Sequence, residues 1–110
     1  MTSFDERERA FESKYAHDAE MLWKAEARRN RLLGEWAARE MGMTDPGEIE
    51  TYAKAVVKAD FEEAGHEDVV RKVMGDFEAR ATGIEEATLR AKMTELLSEA
   101  KSQLMGEFGG

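Results

Sequence analysis

The chain has 110 residues, with 24 acidic against 16 basic side chains and no cysteine. This length suits one domain. The absence of cysteine excludes disulfide bonds and thiolate metal sites. The formal net charge of −8 opposes binding to nucleic acid or to an anionic membrane surface. We find neither a signal peptide nor an apolar run long enough for membrane insertion, so a cytoplasmic protein is expected.

Helix-forming residues dominate the composition, and strand signals are missing. Glu, Ala, Lys, Arg, Leu and Met are abundant, one proline interrupts the chain, and no alternating β-branched run or Asn-Gly turn indicates a hairpin. The predicted fold class is therefore all α. Capping signals and apolar spacing divide the chain into four helices with short connections, which favours a four-helix bundle.

The first predicted helix is much longer than the others. It begins at Ser3, where Glu6 completes a capping box, and it runs through Gly34 to Met41. At 1.5 Å per residue it is about 58 Å long, roughly twice the length of its partners, so one end must project from the bundle.

The projecting end is the N-terminal one, because the apolar stripe of helix one becomes dense only from Leu22 onward. Residues 1–18 are predicted to form a mobile arm that becomes fully helical when a partner covers its aromatic residues. These aromatic residues are Phe4, Phe11 and Tyr15. The bundle is predicted to occupy residues 19–105, followed by a disordered tail at residues 106–110.

Three shorter helices follow. The second begins with Asp45 as N-cap and Pro46 in the first turn, and it ends before a break between Glu62 and Gly65. The third is predicted to end with Gly83 as the C′ residue. The apolar positions expected to be buried in helices two, three and four are Ile49, Tyr52, Ala53, Val56, Val57, Phe61, Val69, Val70, Val73, Met74, Phe77, Ala81, Leu89, Met93, Leu96, Leu97, Ala100 and Leu104.

One basic cluster, KAEARRNR at positions 24–31, stands out in this acidic chain. Arg28, Arg29, Asn30 and Arg31 would bind phosphates or an acidic partner if they formed an exposed basic face. Alternatively, the arginines form a solvated face that pairs along the helix with neighbouring glutamates, which the spacing alone favours. Asn30 is a poor helix former and needs a reason for its place there.

The tryptophans and histidines have distinct expected positions. Trp36 is predicted in the core. Trp23 lies near the point where the arm leaves the bundle, and a core position is favoured over an anchor for a partner. His66 is expected on the surface at the start of helix three, whereas His17, in the arm, is a candidate for tuning partner binding by its protonation.

No feature of the sequence indicates an enzyme. The acidic stretch ADFEEAGHED lacks the loop spacing of an EF-hand, the histidines have no zinc-ligand spacing, and we find no phosphate loop, cofactor motif or nucleophile with a nearby base. No catalytic residue, metal site or cofactor is predicted.

Two classes of function remain on the residues alone. The chain is either a regulator that inserts its arm into a larger machine, or a non-inhibitory helical module that self-associates or binds another partner through helix one. A coiled coil needs sustained heptads, and Asp18 breaks the register that Phe4 and Phe11 begin. A monomeric regulator is therefore favoured.

Three segments, FDERERAFESKYAHD, WKAEARRNRLLGEWAAREMG and ADFEEAGHEDVVRKV, together resemble the zeta subunit family of alphaproteobacterial ATP synthases, which are natural inhibitors of the F-type ATPase. The resemblance implies a four-helix bundle whose N-terminal segment is mobile when free. That segment would enter an interface between an α and a β subunit of the catalytic head, near the γ subunit, and would block ATP hydrolysis while sparing synthesis. The protein would then be peripheral to the inner membrane through the ATP synthase.

Carried over to this chain, the resemblance makes Phe4 to about Asp18 the inhibitory arm. Its apolar anchors would be Phe4, Phe11 and Tyr15, and its charged contacts would be Asp5, Arg7, Glu12 and Lys14. The resemblance also gives Arg28 and Arg29 a possible part in contacting the target or in fixing the exit of the arm from the bundle.

Overall fold

The computed structural model describes the backbone of residues 2–60 and 65–108 and the side chains of residues 18–60 and 65–107. Within these ranges the chain forms four α-helices and no strand. The helices are α1 (Thr2–Glu40), α2 (Pro46–Ala59), α3 (Glu67–Ala79) and α4 (Glu86–Phe108). The predicted all-α class and the number of helices are confirmed.

Helix α1 is a long rod. Its 39 residues correspond to about 58 Å, and the longest dimension of the molecule is 64 Å. The long first helix is thus confirmed, whereas the mobility of residues 1–18 stays a prediction. The helix ends in a Schellman motif, in which Gly42 N–H donates to the Arg39 carbonyl and Met43 N–H to the Ala38 carbonyl, both at 3.0 Å. A glycine suits this end because its φ is +91°.

Gly34 lies inside α1 at the point where α2 crosses it. A Cβ built on Gly34 would lie 2.5 Å from Cα of Ala53 and 3.3 Å from Cβ of Val56. The usual cost of glycine within a helix is therefore offset by the close approach of the two backbones. Helix α1 makes most of its contacts with α2 and α4, so it is the central element of the bundle.

Side chains from all four helices form the core. Trp36 packs edge-on against Phe77, with ring centroids 5.8 Å apart, in agreement with its predicted core position. A smaller cluster of Ala25, Ala100 and Leu104 joins α1 to α4 nearer the arm. Each large buried side chain contributes about 1.5 to 3 kcal/mol. The residues of the main cluster are Leu33, Ala37, Val56, Val69, Val70, Val73, Phe77, Leu89, Met93 and Leu96.

The start of α2 agrees with the sequence prediction, and its end does not. Asp45 is the N-cap, its Oδ2 accepts from Glu48 N–H at 3.0 Å, and Pro46 is the first helical residue. The helix ends at Ala59. Phe61, which was predicted to continue the buried stripe, lies outside the described residues.

The end of α3 corrects the sequence prediction. Ala81, with φ of +51°, is the C′ residue: its N–H donates to the Glu78 carbonyl and Thr82 N–H donates to the Phe77 carbonyl, each at 3.1 Å. Gly83 also has a positive φ, of +77°, but it lies beyond the cap. Ala81 is consequently exposed rather than buried as predicted.

Helix α4 continues to Phe108, into the segment predicted as a tail from residue 106, and the disorder of that tail stays a prediction. The extra turn has a contact that holds it, since Glu107 accepts from Arg28 at 2.7 Å. Residues 109 and 110, the rest of the predicted tail, lie outside the described range.

Candidate functional site

The predicted arm is continuous with the bundle through α1, whose backbone is helical from Thr2. The side chains predicted to contact the target there lie outside the described side chains, and so does His17. Their role therefore stays a prediction. These side chains are Phe4, Asp5, Arg7, Phe11, Glu12, Lys14 and Tyr15.

The structure separates the members of the predicted basic face. Arg29 and Asn30 are buried, with 3% and 1% of their surfaces exposed, whereas Arg31 is exposed and Arg28 is intermediate. Arg29 and Asn30 thus fit neither alternative: they are not part of a surface that binds a partner, and they do not face solvent. A partner has access to Arg28 and Arg31 only.

Asn30 joins α1 to the end of α2. Its Nδ2 donates to Oδ2 of Asp60 at 2.9 Å, and its Oδ1 accepts from Nε of Arg29 at 3.0 Å. Burial of a polar amide is costly unless it is hydrogen-bonded, and here both ends of the amide have partners. This pairing is the reason for a poor helix former in the middle of α1.

His66 extends this network to the start of α3. Nη2 of Arg29 lies 3.0 Å from Nδ1 of His66, which requires Nδ1 to be the unprotonated acceptor nitrogen, since a guanidinium has donors only. Nδ1 of His66 lies 3.5 Å from Oδ1 of Asp60, and Nε2 lies 3.7 Å from Oε1 of Glu26. His66 stands at the start of α3 as predicted, but its ring contacts a buried network as well as solvent.

The environment of Arg29 has opposing effects on its pKa. Burial lowers the pKa of Arg29, while the carboxylates of Asp60 and Glu26 raise it. A guanidinium stays protonated under such conditions, so the network holds one buried positive charge between two carboxylates. The role of this network is structural. It fixes the middle of α1 against the segment that leaves α2 and the segment that enters α3.

Arg28 pairs across the bundle rather than along its own helix. Its guanidinium donates to both carboxylate oxygens of Glu107, at 2.7 and 3.1 Å. This hydrogen bond raises the pKa of Arg28 and lowers the pKa of Glu107. The predicted pairing of the arginines with glutamates one turn away is replaced, for Arg28, by a bidentate pair with the end of α4.

An apolar patch, which the sequence did not predict, lies where α1 leaves the bundle. It consists of Leu22, Trp23 and Met105, whose exposed fractions are 45%, 58% and 66%, and we call it the junction patch. The core position favoured for Trp23 is therefore wrong. Helical spacing gives the direction of a side chain but not whether a neighbouring helix reaches that far.

Two grooves adjoin the junction patch, one on each side of Leu104. The first, of about 280 Å³, contains Leu22 and Met105. The second, of about 500 Å³, lies between α2 and α4 along the outer side of α1 and contains Trp23, Arg28 and Arg31. We call the second one the basic groove. It brings the accessible part of the predicted basic cluster next to the junction patch.

Two other kinds of feature are missing from the described residues. In residues 18–60 and 65–107 no group of three or more His, Asp or Glu side chains is arranged to hold a metal ion. None of the described helices combines the length and the apolar character that crossing a membrane requires.

A protein-family model described as ATPase inhibitor subunit zeta matches residues 1–103. The chain belongs to this family. The zeta match includes the predicted arm, α1, α2, α3 and most of α4, and it agrees with the resemblance of the three quoted segments. Membership supports an inhibitory role in general and association with an ATP synthase, and it fits a protein that is not itself an enzyme.

A solved structure has a similar fold. A solution NMR structure of a protein is 53% identical to this chain, with a TM-score of 0.70, and the match covers 80% of this chain and 99% of that one. No curated protein gave a match.

Proposed function

We propose that the chain inhibits the F-type ATP synthase by inserting the N-terminal part of α1 into a catalytic interface between an α and a β subunit, near the γ subunit. Hydrolysis of ATP is blocked and synthesis is spared. The observation that carries this proposal is the continuity of α1 from Thr2 to Glu40 in a member of a family of ATPase inhibitors.

The bundle supplies a fixed base for such an arm. Asn30 and Asp60 tie α1 to α2, Arg28 and Glu107 tie it to α4, and Gly34 lets α2 approach closely. With these contacts α1 resists sliding and rotation within the bundle. Force exerted on the inserted end is therefore carried by a packed domain instead of a flexible tether.

The arm itself has the residues that helix-in-groove binding requires. Phe4, Phe11 and Tyr15 are spaced for one side of a helix, and burial of each in a cleft contributes about 1.5 to 3 kcal/mol. Because the arm extends an existing helix, it avoids the nucleation cost of an isolated one. Aromatic anchors of this kind commonly dominate the energy of an interface.

Inhibition in one direction follows from unequal affinity for the states of the target. A ligand shifts a conformational equilibrium only by as much as it prefers one state. An arm that binds best in a nearly closed interface holds the enzyme in that state during hydrolysis. Rotation in the synthetic direction opens that interface and releases the arm.

The test uses the ATPase freed of its own inhibitor, with ATP hydrolysis measured as the full chain is added. A variant with Phe4→Ala, Phe11→Ala and Tyr15→Ala is expected to lose inhibition, and a matched variant with leucine at the same positions is expected to keep part of it. Equal inhibition by all three chains would show that the arm does not carry the activity. Circular dichroism checks that the bundle melts alike in each.

A further inference from the structure

We propose that the junction patch and the basic groove together form a second contact with the inhibited ATPase, one that binds an acidic protein surface with apolar anchors beside the cleft. This proposal rests on the proposed function, because it assumes the same target. It adds a contact made by the folded bundle to the contact made by the arm.

The first support is the concentration of exposed apolar surface in one place. Among the described side chains, the exposed large hydrophobic residues are Leu22, Trp23 and Met105, and all three belong to the junction patch. Leu22 and Met105 share one groove, Trp23 lines the other, and Leu104 lines both. Clustered exposed apolar side chains mark interaction sites, and tryptophan is among the residues enriched in binding hot spots.

The second support is a local reversal of charge. Acidic residues outnumber basic ones in the whole chain, 24 to 16, but basic ones predominate along the two grooves. The basic residues there are Lys24, Arg28, Arg31, Lys54 and Lys101, and the acidic ones are Asp18, Glu50 and Glu107. Complementary potential therefore favours a partner that brings carboxylates to this face.

Arg31 is the basic residue best placed to meet such a carboxylate. Arg28 is already paired with Glu107, and Lys54 lies 3.4 Å from Glu50. Arg31 is exposed, and within the described part of the chain it has no hydrogen bond or ion pair. A guanidinium in that position accepts a carboxylate in bidentate fashion without first breaking an internal pair.

The third support identifies the partner. Leu22 follows the end of the predicted arm, at residue 18, by four residues, or about 6 Å along the same helix. A target that encloses the arm therefore meets the junction patch at the mouth of its cleft. A second copy of this chain would not explain why the junction patch lies directly beside the arm. An anionic lipid surface is opposed by the net charge of −8.

The experiment compares the binding of labelled full-length variants to the purified ATPase. Trp23→Ala and Met105→Ala remove apolar anchors that are exposed, so the bundle should melt as in the parent chain. We expect Trp23→Ala to weaken binding about tenfold or more, as for a hot-spot residue, and Trp23→Phe to recover much of the loss. Unchanged binding of Trp23→Ala would overturn the proposal.

Charge is tested by Arg31→Glu against Lys58→Glu, an equal reversal at an exposed position of α2 that lines neither groove. Arg31→Glu should weaken binding at low salt and lose this effect at high salt, because exposed charges are screened. Lys58→Glu should bind like the parent chain. Equal effects of the two reversals would contradict a specific acidic partner.

Failure of this proposal is distinguishable from failure of the proposed function. If Trp23→Ala weakens binding but the arm substitutions leave inhibition unchanged, the arm mechanism alone is refuted. If the arm substitutions abolish inhibition but Trp23→Ala leaves binding unchanged, the second contact alone is refuted. A dimer or a lipid complex that Trp23→Ala dissolves, in the absence of an effect on ATPase binding, would also refute it.

Discussion

Asn30 donates a hydrogen bond to Asp60 across the bundle, with Nδ2 2.9 Å from Oδ2, and this bond connects the middle of α1 to the residue that follows α2. The other carboxylate oxygen, Oδ1 of Asp60, is buried without a hydrogen-bond partner within the described residues. Loss of the Asn30 bond therefore leaves a half-buried carboxylate still less satisfied.

The variant Asn30→Ala is expected to lower the free energy of unfolding by about 1 to 3 kcal/mol, because the half-buried Asp60 carboxylate loses a donor and the buried Arg29 Nε loses an acceptor. Urea denaturation of the parent chain and the variant measures the difference. Arg31→Ala, one residue along on the exposed side, serves as the control and should change stability little. Similar losses in both variants would mean that the buried bond has no special importance.

Gly34→Ala should destabilise the bundle, since the added methyl group would lie 2.5 Å from Cα of Ala53. We expect a loss of about 1 to 3 kcal/mol from overpacking. Gly75→Ala is the matched control: Gly75 is also inside a helix, but a Cβ there would contact nothing within 4 Å, so helix propensity should raise stability by about 0.5 to 1 kcal/mol. In thermal melts, Gly34→Ala should therefore lower the Tm and Gly75→Ala should raise it.

Ala81→Gly should stabilise the protein, because Ala81 holds a φ of +51° that glycine adopts without steric cost. The expected gain is about 0.5 to 1 kcal/mol, the left-handed penalty less the entropy that glycine loses on folding. The same substitution at Ala79, the last residue of α3, should destabilise. A loss at both positions would argue against the C′ assignment.

Tyr52→Phe tests the hydrogen bond from the Tyr52 hydroxyl to Oδ2 of Asp76, which is 2.7 Å long. Burial raises the pKa of Tyr52, and the bond to Asp76 raises it further. Since tyrosine in an unfolded chain ionises at about pH 10, the folded protein keeps the proton more tightly. Its stabilising effect is complete below that pH and is lost as the pH rises towards the folded pKa.

We therefore expect Tyr52→Phe to cost about 1 kcal/mol at neutral pH and the gap between the two chains to narrow at about pH 11. Lysine and other groups titrate in both chains, so the difference isolates Tyr52. Denaturant unfolding at the two pH values provides the measurement. A gap that is constant with pH would contradict the raised pKa.

Local signals in the sequence were sufficient for the helices and for several of their ends. Asp45 and Pro46 mark the start of α2 through bonds within four residues, and the apolar stripe of α1 continues past Gly34 because periodicity outweighs one glycine. Such features depend on neighbours along the chain, which the sequence lists directly.

The candidate site depended on contacts between distant residues, and there the sequence was less informative. Arg28 pairs with Glu107, 79 residues away, and Asn30 with Asp60, 30 residues away; spacing along a helix cannot reveal either partner. Trp23 has the right period for burial, but none of the described helices covers it, and 58% of its surface is exposed. The cap at Ala81 was missed because glycine usually fills that position, and Gly83 was near.

One-way inhibition is tested most directly by measuring ATP hydrolysis and ATP synthesis in membrane vesicles that lack the native inhibitor, with the full chain added back. We expect hydrolysis to fall while synthesis at the same concentration is largely retained, because the arm is released by rotation in the synthetic direction. Equal suppression of both activities, or suppression of neither, would contradict it.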